Sequence, residues 1–336
     1  MEAKKTKFME NNLIIEQQER NYSLTFHGKG NEYFSILIVN WLLTIITLGI
    51  YYPWARARKI QYLYGASALN DDRFAFHGTG KEMFRGFIKV ILFYAVLIVL
   101  LYGSVFLSKN GENMAIYWTG LLLFYMLFLA ILPLMMHGAY RYRMSRTSWR
   151  GIRFGYKGSK KELYGKFLKW IGLTIITLGF YGPWLEMNLR KYLIGNVRSG
   201  DAEFTYRGNG SDFFLLNLKG YFLTLLTLGI YMFWWQKDIF NYYIDNISIS
   251  KDNAGIQLKS TATGGGIFKL LVMNFLITVV TLGLGYAWVA IRTKKYFTEN
   301  ITLSGNIDLD SLQQTQDVYT DATGDDAMDF FDIDIF

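Results

Sequence analysis

An eleven-residue signature, T-x-x-T-L-G-x4-W, occurs four times in this chain: Thr44 to Trp54, Thr174 to Trp184, Thr224 to Trp234 and Thr278 to Trp288. Thr44, Thr47, Gly49 and Trp54 are matched by Thr174, Thr177, Gly179 and Trp184, by Thr224, Thr227, Gly229 and Trp234, and by Thr278, Thr281, Gly283 and Trp288. Recurrence at one spacing limits the fold severely, because a short repeated unit buries its apolar face only by packing against its own copies.

The similarity reaches beyond the signature. An aromatic residue precedes each T-L-G by thirteen positions (Phe34, Tyr164, Phe214, Phe268), and a tyrosine follows each Trp by eight (Tyr62, Tyr192, Tyr242, Tyr296). Aromatic-x-aromatic-x-Gly then closes the unit at Phe74 to Gly78 and at Phe204 to Gly208. A fifth copy lacks T-L-G. In it, Pro133 and Gly158 stand 25 positions apart, as do Pro53 and Gly78 and Pro183 and Gly208, Tyr142 takes the tyrosine position, and a 30-residue insertion precedes them.

Each copy reads as an apolar helix, a T-L-G break, a basic aromatic helix and a β-hairpin. Alternation about turn residues supports the strands, most clearly at Ile247 to Lys259 and Ile301 to Leu309. Leu13 to Ile15 and Tyr22 to Phe26 read as one more hairpin, making six. The chain divides into an N-terminal β-hairpin (1–32), five repeats of about 50 residues (33–82, 83–162, 163–212, 213–266 and 267–310) and an acidic tail (311–336).

The insertion supplies the longest apolar runs. Val90 to Leu107 gives 18 residues without a charge and Met114 to Met136 gives 23, against the roughly 20 that a helix needs to cross a bilayer. A transmembrane hairpin is predicted over 86–107 and 115–136. Eight Lys and Arg between Arg141 and Lys161 come after it, which places that side in the cytoplasm. The polar N-terminal stretch has no apolar core of secretory-signal length.

Two models fit the T-L-G units. Each is a single span, or each is a short hairpin that enters the membrane and returns. The second is favoured: only 16 uncharged residues come after Lys169 and again after Lys219, short of a span. Every inter-module segment is basic, and the insertion lengthens a hairpin without inverting the later repeats. The first model puts both termini outside, the second puts both in the cytoplasm.

Charge distribution matters here more than its total. Nine of the 27 acidic residues lie between Ile307 and Phe336, leaving a body with 35 basic and 18 acidic residues, a net of +17. No nucleic-acid motif accompanies this basicity, so anionic membrane lipid is the expected partner. Arg56, Arg58, Lys59, Arg141, Arg143, Arg190, Lys191, Lys294 and Lys295, interleaved with Trp and Tyr, are candidates for lipid headgroups. The signature glycines suit a helix end or tight turn, and the paired threonines either bond the preceding turn or line a polar conduit. In the tail, Phe330, Phe331, Asp332 and Phe336 alternate acidic with apolar character, which suits docking onto a sheet edge or lying on the basic body.

Enzyme chemistry finds no support. His27 and His77 share Phe-His-Gly-x-Gly, but other copies place Lys157 or Arg207 there, so a hydrogen-bond donor or cation is wanted and not a metal ligand. Gly78-Thr-Gly-Lys-Glu82 brushes against a phosphate loop and fails at both ends, with Ala75 and Glu82 at the defining positions. No cofactor or metal is implied, and no catalytic residue.

The repeated T-L-G-[IF]-Y-x-P-W, followed by basic residues, Tyr and aromatic-x-aromatic-x-G-x-G, resembles the YjgN-like family of bacterial inner-membrane proteins. The resemblance covers residues 20 to 305 or so and implies a multi-pass inner-membrane protein of uncharacterised role, with a membrane metallopeptidase as a partner that the family hints at. The chain departs from the pattern in its acidic tail, at Gly285-Tyr286-Ala287 and at Met232-Phe233.

The expected fold is an α+β integral membrane protein of five quasi-repeats. Each is a helical hairpin, one fully transmembrane and four re-entrant, with the β-hairpins joined as a sheet or closed ring on the cytoplasmic side. The expected function is a pseudo-symmetric transporter, channel or lipid-handling protein without an ion-coupling site. The alternative is a non-enzymatic scaffold or partner subunit that docks through its tail or β edge.

Overall fold

Ten helices in five pairs alternate with short strands in the computed structural model, which describes residues 20–109 and 113–314. The pairs are α1 (Gly30–Ile46) with α2 (Tyr52–Ala66), α3 (Gly80–Leu107) with α4 (Met114–Ser145), α5 (Lys160–Ile176) with α6 (Gly182–Gly195), α7 (Gly210–Leu226) with α8 (Met232–Asp245), and α9 (Gly264–Val280) with α10 (Tyr286–Glu299). The second helix of each pair packs on the first helix of the next, and α10 returns to α1, so the ring is closed.

Local chemistry sets where these helices start. Thr79 Oγ1 accepts the Glu82 N–H while Glu82 Oε2 accepts the Thr79 N–H, a reciprocal cap. Ser159, Asn209 and Thr263 cap α5, α7 and α9 in the same way with one bond each. The sequence that brushes against a phosphate loop is therefore a helix cap. The repeated tyrosine secures that cap from the far end of its own pair: the hydroxyls of Tyr62, Tyr192, Tyr242 and Tyr296 both donate to and accept from the backbone of Lys29, Ser159, Asn209 and Thr263, at 2.8–3.3 Å. Tyr142 donates to Glu82 (3.2 Å), which also pairs with Arg146 at 2.7 Å.

The strands are β1 (Arg20–Phe26), β2 (Ser67–Leu69), β3 (Asp72–Phe76), β4 (Thr147–Trp149), β5 (Ile152–Tyr156), β6 (Val197–Ser199), β7 (Ala202–Tyr206), β8 (Ile247–Lys251), β9 (Ala254–Ser260) and β10 (Ile301–Gly305). They form one closed antiparallel barrel in the order β1-β10-β9-β8-β7-β6-β5-β4-β3-β2. Closure leaves no edge strand, which removes the template for sheet-edge association. The closing contact joins the two ends of the chain: Arg20 to Ser23 pair with Gly305 to Thr302, and Leu24 to Phe26 with Leu69 to Ser67.

This differs from six independent hairpins. Four hairpins are present among the described residues, and the fifth is made by β10 with β1, so the N-terminal strand supplies the half that the last repeat lacks. Leu13 to Ile15, the expected partner of Tyr22 to Phe26, lies outside the described residues. Nor does Ile301 to Leu309 fold back on itself. Its second half leaves the sheet because the position beside β10 is already taken.

That second half closes the barrel. Leu69, Trp149, Ile256 and Leu303 fill the interior with Tyr22, Leu24, Phe74 and Phe154, and Ile307 and Leu309 are buried against them. Burying two such side chains contributes about 1.5–3 kcal/mol each. Polar bonds pin the segment from several strands. Tyr22 Oη donates to the Ile307 carbonyl (3.0 Å), Gly255 N–H to Asn306 Oδ1 (2.7 Å), Asp201 N–H to the Gln313 carbonyl (3.1 Å) and Arg153 N–H to Gln314 Oε1 (2.7 Å). Arg20 pairs with Asp308 at 2.6 Å, and Arg150 bridges Asp72 and Asp310. The Arg20 guanidinium holds the Asp308 carboxyl below the usual carboxylate range. Burial pushes Asp201 up, but Lys251 at 2.8 Å and the backbone N–H of Gln313 outweigh it and hold that carboxyl low too.

Candidate functional site

At the end of each pair far from the barrel, the T-L-G residues make one turn four times over. Gly49, Gly179, Gly229 and Gly283 have φ of 88–95°, a conformation open to glycine and strained for other residues. Each donates its N–H to the carbonyl of the first signature threonine at 2.7–2.8 Å. The second threonine spends its hydroxyl twice. Thr47, Thr177, Thr227 and Thr281 donate to the carbonyl four residues back at 2.6–2.7 Å. They also accept the N–H four residues on, at 2.7–3.0 Å, which caps the next helix. Thr44, Thr174 and Thr278 bond the preceding turn as well, and the Thr224 hydroxyl has no partner.

The leucine between threonine and glycine is the anomaly. Leu48, Leu178, Leu228 and Leu282 adopt φ near 50°, which costs a non-glycine residue roughly 1–2 kcal/mol. They are 94, 91, 94 and 92% exposed. Hydrogen bonds on either side hold the turn, while the leucine side chain itself touches almost nothing inside the protein. Ile46, Ile50, Ile176, Phe180, Leu226, Ile230, Val280 and Leu284 flank these leucines and are also exposed, so the four turns make an apolar crown. The α3–α4 hairpin rises beyond it; both helices are long and apolar enough to cross a membrane by length and composition.

The signature tryptophans join neighbouring pairs. Trp54, Trp184, Trp234 and Trp288 lie over Gly80, Gly210, Gly264 and Gly30, the first residues of α3, α7, α9 and α1. A Cβ at any of these glycines would sit 2.3–2.4 Å from the indole. Sequence reading did not single out these glycines, although the last Gly of G-x-G carried the signal at Gly30, Gly80 and Gly210, with Ala262 in place of the first Gly before Gly264. At the remaining joint the equivalent positions hold Leu134 and Lys160. Where the indole is missing, the requirement for glycine lapses.

The structure divides the candidate headgroup residues. Arg58, Lys191, Lys294 and Lys295 are exposed and Lys59, Arg141 and Arg143 half-buried, whereas Arg56 and Arg190 are 6 and 7% exposed. Helical period explains the split: these two stand two and six residues after their Trp, on the inward face. Arg190 stacks its guanidinium 3.5 Å over the Tyr243 ring and pairs with Glu186 at 3.3 Å. His77 Nε2 lies 2.8 Å from Ser148 Oγ and His27 Nε2 3.2 Å from Thr25 Oγ1, both hydrogen-bonding positions on the barrel. Phe330, Phe331, Asp332 and Phe336 lie outside the described residues.

Comparison with known proteins adds a family. The family model described as "Bacterial protein of unknown function (DUF898)" matches residues 21–222 and 234–330. The chain belongs to this family. The match takes in the closing segment and runs into the tail, further than the repeat pattern alone. Inner membrane protein YjgN of Salmonella typhimurium (strain LT2) is 38% identical over 154 residues, 46% of this chain and 36% of the relative. The proteins of the same name from Escherichia coli O157:H7 and K12 are 34% and 35% identical over 152 residues, 45% of this chain and 35% of theirs. The chain thus spans about a third of the length of the curated relatives it matches. No solved structure matches it.

Proposed function

We propose that this DUF898 member is a multi-pass inner-membrane protein that handles lipid. Its α3–α4 hairpin crosses the bilayer, and its four shorter hairpins enter the cytoplasmic leaflet and return. The observation that carries this reading is the apolar crown set opposite a single closed barrel. All five pairs come back to that barrel, so they enter a membrane from one side; single spans would need strands on both sides.

Lengths agree with this. First helices of 17 residues and second helices of 14–15 reach about 21–26 Å, short of a ~30 Å hydrocarbon core. Helices α3 and α4, with 28 and 32 residues, reach about 42 and 48 Å. The basic segments at the base of the pairs favour a cytoplasmic barrel and cytoplasmic termini. The names of the curated relatives support the inner membrane as the location.

Lipid handling is preferred to conduction because the barrel axis is filled by Trp149, Ile256 and Leu303 and closed by Ile307 and Leu309. Acidic residues are absent from 90–107, from 114–136 and from every T-L-G-to-Trp stretch, which argues against proton or sodium coupling. Reconstitution into vesicles that carry a dithionite-quenchable phospholipid tests the reading. Faster exchange of the reporter between leaflets is expected, lost when Leu48, Leu178, Leu228 and Leu282 become Lys. Solute flux with no lipid exchange would contradict it.

A further inference from the structure

Two clefts open along the joint at which α10 returns to α1 and closes the ring. One, of about 460 Å³, is walled by Phe34 of α1 and by Leu282, Leu284 and Trp288 of the last T-L-G turn and α10; the Phe34 and Trp288 ring centroids stand 5.2 Å apart. The other, of about 670 Å³, is walled by Lys29 and Glu32 at the start of α1, Tyr62 of α2, Arg73 of β3 and Lys295 of α10. Trp288 and Lys295 are seven residues apart, so they share one face of α10 at a separation of about 10 Å. An apolar cleft and a basic cleft therefore lie end to end on one seam.

The basic cleft sets three cations against one carboxylate. Glu32 is engaged by Lys29 at 3.1 Å and by the Tyr62 hydroxyl at 3.1 Å. Arg73 precedes Phe74, which faces the barrel interior, so strand alternation turns Arg73 outward into the cleft. Among the described residues its guanidinium has neither an ion-pair nor a hydrogen-bond partner. Lys295 reaches Glu299 at 3.8 Å, an exposed contact that water screens. Two positive charges thus stand in the cleft with nothing there to neutralise them, and a guanidinium with free N–H donors suits phosphate oxygens. A ligand that satisfies both clefts is an amphiphile, with an anionic phosphate at one end and a hydrocarbon chain at the other. The spacing of about 10 Å falls within one leaflet, half of a ~30 Å hydrocarbon core.

We propose that the α10–α1 joint binds one phospholipid with an anionic headgroup, its phosphate held by Lys29, Arg73 and Lys295 and an acyl chain lying along Phe34, Leu284 and Trp288. This names a site and a headgroup class for the lipid-handling reading, and rests on that reading for the membrane that supplies the lipid.

The test uses the full chain, stripped of lipid in detergent, with thermal unfolding followed during separate titrations. The titrants are phosphatidylglycerol, phosphatidylcholine with the same chains, and glycerol phosphate, which keeps the phosphate and has no chain. Phosphatidylglycerol should raise the wild-type midpoint by several degrees, and the other two by less than half as much. Arg73→Gln, Lys295→Gln and Leu284→Asn alter exposed side chains, so each should keep the unliganded midpoint and lose more than half of the rise. Lys259→Gln, exposed on β9, should keep the rise. An equal rise with phosphatidylcholine removes the role of charge, and an equal rise with glycerol phosphate assigns a free-anion site. A rise that Arg73→Gln and Lys295→Gln keep in full seats the lipid elsewhere, and one that Leu284→Asn keeps takes the apolar cleft out of the site. Any of these, or no rise, overturns the proposal. Lipid exchange in vesicles with a rise that the variants keep would sink this site and leave the lipid-handling reading standing; a rise lost in the variants without lipid exchange would do the reverse.

Discussion

Gly210→Ala is the sharpest probe of how the ring is joined. A Cβ there would lie 2.3 Å from Cδ1 and Cγ of Trp184 and 2.6 Å from its Cα. Ordinary contacts begin near 3.4 Å, and the Cα cannot swing away as a side-chain tip can, so helix and indole must separate. Overpacking of this kind costs about 1–3 kcal/mol. The control is Gly172→Ala in α5, where an added Cβ meets nothing within 4 Å and helix propensity favours Ala by about 0.8–1 kcal/mol. The two substitutions should therefore move the detergent unfolding midpoint in opposite directions, by roughly 2–4 °C per kcal/mol. Trp184→Leu rebuilds the joint in the image of Leu134 and Lys160, so Gly210→Ala should cost much less in that background. A Gly210→Ala protein as stable as wild type, or strict additivity in the double mutant, would refute the reasoning.

Three further outcomes rest on particular contacts. Gly179→Ala, at φ 93° with open space around it, should lose about 1–2 kcal/mol through backbone strain alone, visible as a lower midpoint with unchanged helix content by circular dichroism. The closing segment should loosen in acid: Asp308 and Asp201 have lowered folded-state values, so their bonds contribute above the ordinary carboxylate range near 3.9 and are lost as pH falls through the lowered values. A nitroxide at Gln313→Cys should stay immobile from pH 7 to about 5 and mobilise below about 4; mobility independent of pH would exclude these pairs as the tether. Truncation after Gly305 removes Ile307 and Leu309 from the barrel and should lower stability by about 3–6 kcal/mol, read as a lower unfolding midpoint.

The sequence made legible whatever is repeated. Four copies at one spacing located the helix pairs, the T-L-G turn, the tyrosine and most strands. A closed ring was one of the two arrangements expected, but the strands that close it were not legible, because β10 is completed by β1, about 280 residues earlier, and neither strand says which partner it has. The closing segment misled for a different reason: Ile307 and Leu309 alternate with polar residues as a strand would, yet the same alternation serves a segment with one side on an apolar barrel mouth. At the headgroup candidates, composition overruled period. Arg56 and Arg190 belong to basic aromatic stretches that look interfacial, and only their positions two and six residues after Trp turn them inward. The glycines under the tryptophans were not legible as partners because 26 positions separate Trp54 from Gly80, and Trp288 and Gly30 stand near opposite ends of the chain.

The central claim is that every pair returns to one cytoplasmic barrel and that α3–α4 alone reaches the far side. With no native cysteine in the chain, single Met114→Cys, Lys259→Cys and Gln313→Cys variants can be labelled in intact cells with a membrane-impermeant maleimide. Met114 begins α4 at the tip of the long hairpin, Lys259 lies exposed on β9, and Gln313 closes the barrel. Labelling at Met114 alone, with Lys259 and Gln313 protected until the membrane is opened, is the predicted result; labelling of Lys259 or Gln313 in intact cells would contradict it.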